Sequence, residues 1–275
     1  AISGHSVIIK KITVPVMTKD ELEEQIHWEA EHHIPFAKDD VEIDHQLLAT
    51  ESGGNQMDVL LVAAKKEVVS DYTSVAREAN LNPVVVDVAA FTLQNCFEIN
   101  YGAPGETTAL LNVGASTSTI NIVQGGISTF TRDVTIGGNS FTEEIQKRLS
   151  VGYEEAEAYK CGGTAGDEVV PQEVDEILRQ QAEVMAGEFQ RSFDFFLATT
   201  AEGQIDRIYM CGGSARVPAL RKAIETRARI PLEMLDPFKE VSIDASRFDM
   251  DYIQLQSPMA PVAMGLALRA EGDAN

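Results

Sequence analysis

Apolar positions along the chain first alternate, then recur every fourth residue, then alternate again, and these changes of period mark out the elements. Ser6 to Val14 alternates as a strand that breaks at Pro15. In the following "MTKDELEEQIHWEAEHHIPF", Leu22, Ile26, Ala30 and Ile34 form the buried stripe of an amphipathic helix that ends near Pro35. Thr18 is placed to cap this helix, Glu21 to complete a capping box, and Met17 with Leu22 to form a hydrophobic staple. The runs "VEIDHQLLAT" and "MDVLLVAAK" read as strands joined by a hairpin loop at Ser52-Gly53-Gly54-Asn55. Strand, helix, strand, strand makes a small α/β unit over residues 1–66.

Beyond Lys65 helices alternate with buried strands. "KEVVSDYTSVAREANL" has helical spacing, "NPVVVDV" reads as a continuously apolar strand, and "AAFTLQNCFEI" is helical again. After "YGAPGET" come three short strands at 109–113, 119–123 and 127–134, joined at Gly114 and at Gly125-Gly126. Such an antiparallel meander is foreign to a pure Rossmann domain. "TIGGNSFTEEIQKRL" then passes through Gly137-Gly138 into a helix carrying Phe141, Ile145 and Leu149, with Ser140 and Glu143 as a second expected capping box. "YEEAEAYKCGG" and a polar loop to Val170 precede a long helix over 171–199. Its expected stripe is Val174, Ile177, Leu178, Val184, Met185, Phe189, Phe193 and Phe196. "IDRIYMCGGSARVPALRKAI" gives strand, glycine turn and helix, and "SPMAPVAMGLALRA" a short Ala-rich helix.

Composition narrows the function classes. A chain of 275 residues that is 44% hydrophobic can build a bilobed protein with a real core. Its net charge of −21 opposes phosphate backbones and anionic lipid, so nucleic acid is not an expected partner. Cys96, Cys161 and Cys211 are few, odd in number and far apart, which points to a reducing cytoplasm rather than to disulfides or a zinc cluster. No apolar run reaches the roughly 20 residues that span a bilayer, and no signal-type segment opens the chain. Any membrane link is expected to run through a partner.

The candidate chemistry lies in three glycine turns that follow strands: Gly114-Ala115-Ser116-Thr117, Gly137-Gly138 and Gly212-Gly213-Ser214. Such turns point backbone N–H groups at an anion, and a following helix adds its dipole. Singly, each is ordinarily only a turn, and neither a Walker lysine nor a G-x-G-x-x-G motif is present. Glu157 and Lys160 share a helical face, and on spacing alone they read as a surface ion pair. His27 and Glu31, with His32, His33 and Glu29 nearby, have metal-ligand spacing, but without a nearby Cys and opposite an apolar face they read as a solvated surface. No Ser-His-Asp or Cys-His arrangement is indicated, and the phenylalanines of the long helix read as core.

Taken together, "NVGASTSTINIV" resembles the second phosphate loop of the actin, Hsp70 and sugar-kinase superfamily, and "YMCGGSARVPAL" resembles its adenosine motif. Within that superfamily the segments "ITVPVMTKDELEEQIHWEAEHHIPF", "TIGGNSFTEEI", "EFQRSFDFF" and "PVAMGLALRA" are similar to the FtsA-like PilM family of type IV pilus assembly. Trp28-Glu29-Ala30-Glu31 and Ile34-Pro35-Phe36 are the most specific part. The resemblance implies an α/β, ribonuclease H-like bilobed fold of the actin and Hsp70 type. It places an inserted 1C-like subdomain at 1–66, the rest of lobe 1 at 67–105, the core of lobe 2 at 106–151 and 205–275, and a nucleotide-capping subdomain at 152–204. It also implies that the first phosphate loop lies outside this sequence.

The same resemblance implies ATP with Mg²⁺ as cofactor. Asn112, Gly114, Ala115, Ser116 and Thr117 would lie at the phosphates, with Gly137 and Gly138 beside them. Gly212, Gly213 and Ser214 would flank the adenosine, and Glu157 and Lys160 would reach the ribose and base. It further implies a cytoplasmic adaptor that binds the PilN N-terminal peptide near Trp28, Ile34, Pro35 and Phe36, and through it PilO and PilP. Motor ATPases and the platform protein would stand nearby in pilus assembly and twitching motility, and a ring or other homo-oligomer is compatible with this role. Alternative readings are an active ATPase or small-molecule kinase, an FtsA-type division protein, and a scaffold that has lost nucleotide binding. Asn112 weighs against hydrolysis, because it stands where the superfamily usually has an aspartate, and an amide supplies neither charge to Mg²⁺ nor a base to water. The WEAE and IPF segments, and the lack of a terminal amphipathic helix, weigh against a division protein.

Overall fold

The first helix, α1 (Lys19–His33), starts at the expected capping box. Glu21 N–H donates to Thr18 Oγ1 at 3.3 Å, and Thr18 N–H donates to Glu21 Oε2 at 2.8 Å. The computed structural model describes residues 1–50, 55–103, 105–162, 170–200, 203–270 and 272–273. They divide into two units, Ala1–Ala89 with Arg269–Asn275, and Ala90–Leu268.

In the first unit β1 (Val7–Pro15), β2 (Val41–Thr50) and β3 (Gln56–Lys65) form an antiparallel sheet in the order β1-β3-β2. Alternation puts Val59, Leu61 and Ala63 of β3 on one face, where they join Ile12 and Val14 of β1 and the α1 stripe of Leu22, Ile26, Ala30 and, just past its end, Ile34. Ser52, Gly53 and Gly54 of the expected hairpin loop lie outside the described residues; the Asn55 carbonyl accepts from Val16 N–H at 3.0 Å. α2 (Lys66–Glu78) follows directly. The segment "NPVVVDV" departs from expectation. Among the described residues its ladder contact is one isolated bridge between Val88 and Ile2, and Val84 and Val86 are exposed. An apolar β-branched run favours extended backbone without specifying a neighbouring strand.

The second unit opens with α3 (Ala89–Tyr101) and is built on a mixed sheet. β4 (Thr108–Val113), β5 (Ser118–Gln124) and β6 (Ile127–Val134) form the expected meander, while β7 (Arg207–Cys211) and β8 (Leu232–Met234) add in parallel, giving β6-β5-β4-β7-β8. Gly125 and Gly126 both have positive φ, 59° and 79°, as a two-residue hairpin between right-twisted strands requires. α6 (Gln172–Thr199) and α7 (Pro218–Ala228) cover one face, with Phe189, Phe193 and Phe196 packed among Leu111, Ile120, Ile208 and Leu220. A second core gathers Leu93, Cys96 and Phe97 of α3 with Leu110, Tyr209 and Met264, the last on α9 (Pro261–Ala267). α4 (Asn139–Leu149), α5 (Tyr153–Lys160) and the start of α6 share a smaller core of Ile145, Ala156, Tyr159, Val174 and Ile177.

Three local expectations change. Val184 is exposed, because α6 buries Ala182, Met185 and Ala186 instead and so turns position 184 outward. Ser140 is not a cap: α4 is capped by Gly138, and the Ser140 hydroxyl donates to Gly137 O at 2.7 Å. Between 232 and 256, β8 and α8 (Met250–Gln256) form where the sequence marked no element. No helix among the described residues is long and apolar enough to cross a membrane.

Candidate functional site

Parallel pairing of β4 with β7 sets Asn112 beside Cys211 and brings both strands to an end at the same edge of the sheet. The turns that follow them, Gly114–Thr117 and Gly212–Ser214, are therefore neighbours although about a hundred residues apart in sequence. β6 runs antiparallel to β5 and pairs Val134 with Ser118, so the Gly137-Gly138 turn arrives at this edge too. Crevices outside the carboxyl ends of parallel strands are where α/β sheets hold ligands.

The three turns are locked through the Gly114 carbonyl. Its oxygen accepts from Gly138 N–H at 2.9 Å and from Ser214 Oγ–H at 2.8 Å, while Asn139 N–H donates to Ala115 O at 2.7 Å. A side chain is excluded at two of the junction's glycines. A Cβ on Gly137 would lie 2.5 Å from Ala115 O, and one on Gly212 would lie 2.3 Å from Val113 O. Gly212 also has φ 93° and ψ 160°, a region essentially confined to glycine. At the α4 start the Gly138 and Asn139 amides are spent on loop carbonyls.

The free donors lie one turn away. Among the described residues, the backbone N–H groups of Ala115, Ser116 and Thr117 make no hydrogen bond, nor do the hydroxyls of Ser116 and Thr117. Ala115 and Ser116 are exposed and Thr117 is partly so. Gly114 N–H bonds back to Thr117 O at 3.1 Å, which fixes the loop in this shape. The result is a turn with several uncommitted donors on exposed residues and no negative charge of its own, suited to oxyanions such as phosphate.

Glu157 and Lys160 form an ion pair at 2.6 Å, but not an ordinary surface one. The Lys160 side chain is only 10% exposed, and its ammonium also donates to Thr142 Oγ1 at 3.1 Å and Gly138 O at 3.4 Å. Thr142 in turn donates to Glu157 Oε2 at 2.6 Å. Burial alone would raise the Glu157 carboxyl, yet the hydrogen bonds from Lys160 and Thr142 outweigh it and hold the group below the usual glutamate range. This triad pins α5 against the start of α4, and the Lys160 ammonium lies 3.5 Å from where a Gly138 Cβ would stand.

Asn112 Oδ1 faces across the same edge and accepts from Cys211 Sγ at 3.7 Å, a weak contact to a thiol whose ionisation burial suppresses. The Gly114–Thr117 turn offers amides and hydroxyls, a donor set that fits a polyphosphate, while the nearby Lys160 ammonium is committed to Glu157, Thr142 and Gly138. None of these turns carries a carboxylate that would hold Mg²⁺ directly. The structure thus gathers Asn112, Gly114, Ala115, Ser116, Thr117, Gly137, Gly138, Glu157, Lys160, Gly212, Gly213 and Ser214 at one edge of the second unit's sheet. Missed in the sequence were Thr142, which bridges Glu157 and Lys160, and Pro258, whose carbonyl accepts Gly212 N–H at 2.6 Å.

The remaining candidates lie in the first unit and divide by burial. Ile34 belongs to its core, and Phe36 packs partly against that core beneath the Lys65 ammonium, 4.7 Å from the ring centroid. Pro35 and Trp28 are exposed, and the indole, 57% accessible, leans on His32 with ring centroids 4.3 Å apart. His27, His32 and His33 lie on the exposed face of α1.

A family model described as "Type IV pilus assembly protein PilM" matches residues 1–271. Among solved structures, a PilM-PilN type IV pilus biogenesis complex is similar with a TM-score of 0.84 and 30% identity, over 98% of this chain and 78% of that one. Ethanolamine utilization protein EutJ from Carboxydothermus hydrogenoformans has a TM-score of 0.53 and 17% identity, over 73% of this chain and 60% of its own. MreB 5 of Spiroplasma citri bound to AMPPNP gives 0.51 and 15%, over 74% of this chain and 64% of its own. The latter two bear on fold alone, which is α/β and actin-like. With a family model spanning nearly its whole length, the chain belongs to the PilM family of type IV pilus assembly proteins.

Proposed function

We propose that this chain is a cytoplasmic, ATP-binding adaptor of type IV pilus assembly: nucleotide at the three glycine turns governs how tightly it holds the cytoplasmic N-terminal tail of PilN. The observation that carries the nucleotide reading is the Ala115–Thr117 loop, whose amides and hydroxyls are unspent beside the Gly212–Ser214 turn. Phosphates lie on that loop, adenosine beside Gly212, Gly213 and Ser214, and Mg²⁺ comes with the phosphate oxygens. Glu157 and Lys160 hold the side of the site nearest Gly138. Residues 1–66 form the PilN-facing subdomain, with Trp28 and Pro35 as its exposed members, and residues 67–105 complete that lobe. The second lobe consists of 106–151 with 205–275, covered by 152–204.

A relative in a PilM–PilN complex supports PilN as partner. PilN then links the adaptor to PilO and PilP, while the motor ATPases and platform protein act nearby. Asn112 favours binding over hydrolysis, since an amide is no general base.

The test is a calorimetric titration of Mg·ATP into the full-length protein beside a phosphate-release assay. Saturable binding with negligible release supports the adaptor. Multiple turnover moves the protein to the ATPases, and absent binding leaves only a scaffold.

A further inference from the structure

Charge is unevenly placed along this chain. Residues 216–229 hold five of its 22 lysines and arginines, Arg216, Arg221, Lys222, Arg227 and Arg229, against a single acid, Glu225. In a chain of net charge −21 this is a local reversal of sign. The packing of α7 turns it outward: Leu220, Ala223 and Ile224 enter the core, and all five cations are exposed. Arg227 leans on α6, its guanidinium carbon 3.7 Å from where a Gly187 Cβ would stand. Helical spacing sets Arg221, Lys222 and the C-cap Arg229 on the side away from the core, along about 12 Å of helix.

Neither the helix nor internal pairing accounts for these cations. α7 has no acid in its first turn, and Arg221 there, like Arg216 just before it, faces the positive end of the helix dipole, where a cation is disfavoured. Among the described residues none of the five forms an ion pair, whereas Lys147, Arg148, Arg179, Arg191 and Arg207 each do.

A matching surface lies on α1. Glu21 is occupied by the capping box and Glu29 by Gln25 and His33. Asp20, Glu23, Glu24 and Glu31 are exposed and have no side-chain partner among the described residues. Asp20, Glu24 and Glu31 recur at intervals of four and seven, which lays them along one stripe about 16 Å long. We propose that α7 of one copy docks on α1 of another, with Arg221, Lys222 and Arg229 against Asp20, Glu23, Glu24 and Glu31. A second copy meets the basic face with acids in a fixed helical array of similar length, which an anionic lipid surface does not. The contact joins unlike surfaces, so copies assemble as a closed ring or as a filament. It requires neither nucleotide nor PilN.

The test is sedimentation velocity of the full-length protein at about 0.15 M salt, where charges more than about 8 Å apart are largely screened and the net charge weighs least. The wild type associates as its concentration rises. Arg221→Glu with Lys222→Glu weakens self-association about tenfold or more, and so does Glu23→Lys with Glu24→Lys and Glu31→Lys, although the second variant has the smaller net charge. An equimolar mixture of the two associates again, because each reversed face meets its opposite. Independently of any variant's folding, carbodiimide treatment of the wild type yields a covalent dimer in which Lys222 is joined to an α1 carboxylate. A wild type that stays monomeric overturns the proposal. So does association that survives either reversal, a mixture that fails to associate, or a dimer without the Lys222 link. Binding of the wild type to anionic phospholipid vesicles that Arg221→Glu with Lys222→Glu abolishes, without self-association, assigns the face to lipid and overturns it as well.

Discussion

Gly212 and Gly102 both have positive φ, 93° and 77°, but they differ in what surrounds them. A Cβ at 102 meets nothing within 4 Å, whereas at 212 it meets a strand carbonyl. Gly102→Ala therefore costs about 1–2 kcal/mol of backbone strain, and Gly212→Ala costs about 3 kcal/mol or more, since steric displacement of β4 is added. Urea denaturation of the two variants compares them directly, and equal costs would contradict the locked junction. Glu157 makes a different prediction. Its pKa is lower folded than unfolded, so its stabilisation is complete above the ordinary glutamate range and fades as pH falls below about 4.3 toward the lowered folded value. Glu157→Gln removes that acid-side dependence, and its stability deficit against wild type shrinks on acidification. A deficit independent of pH would show that the ion pair with Lys160 contributes nothing. The sequence marked Gly212 and this pair, but not why they matter. The clash at Gly212 involves Val113, and the burial of Lys160 involves Gly138 and Thr142, contacts that no local pattern encodes.

Elements were most legible where their signals are local. The α1 capping box consists of side chains three residues apart, and Thr18→Ala should cost about 1 kcal/mol, read from the unfolding midpoint. The β4-β5-β6 meander follows from short apolar runs and two positive-φ glycines, which neighbouring residues specify. Three failures share the opposite cause. The run at 82–88 required knowledge of a neighbouring strand, Val184 required the precise phase of a long helix, and β8 is three residues whose parallel partner lies more than twenty positions upstream. The exposed face of α1 carries a prediction of its own. Trp28 is the chain's single tryptophan. Because its ring is solvent-facing, Trp28→Ala should change stability by less than about 0.5 kcal/mol. Under the adaptor reading the same variant weakens a PilN-tail peptide, and the wild-type emission shifts on adding that peptide. Unaltered peptide affinity would place the tail elsewhere.

For the whole molecule, the proposed adaptor function puts a nucleotide site and a partner surface into one chain of the PilM family and requires that the two be thermodynamically coupled. Coupling between sites is reciprocal, so whatever nucleotide does to the tail, the tail must do to nucleotide. An adaptor needs no hydrolysis for this, only different tail affinity in the bound and free states. The deciding measurement is calorimetric titration of a PilN N-terminal peptide into the full-length protein with and without saturating Mg·ATP. With coupled sites the peptide Kd changes by about fivefold or more. Identical Kd values in the two titrations, with ATP demonstrably bound, would contradict it.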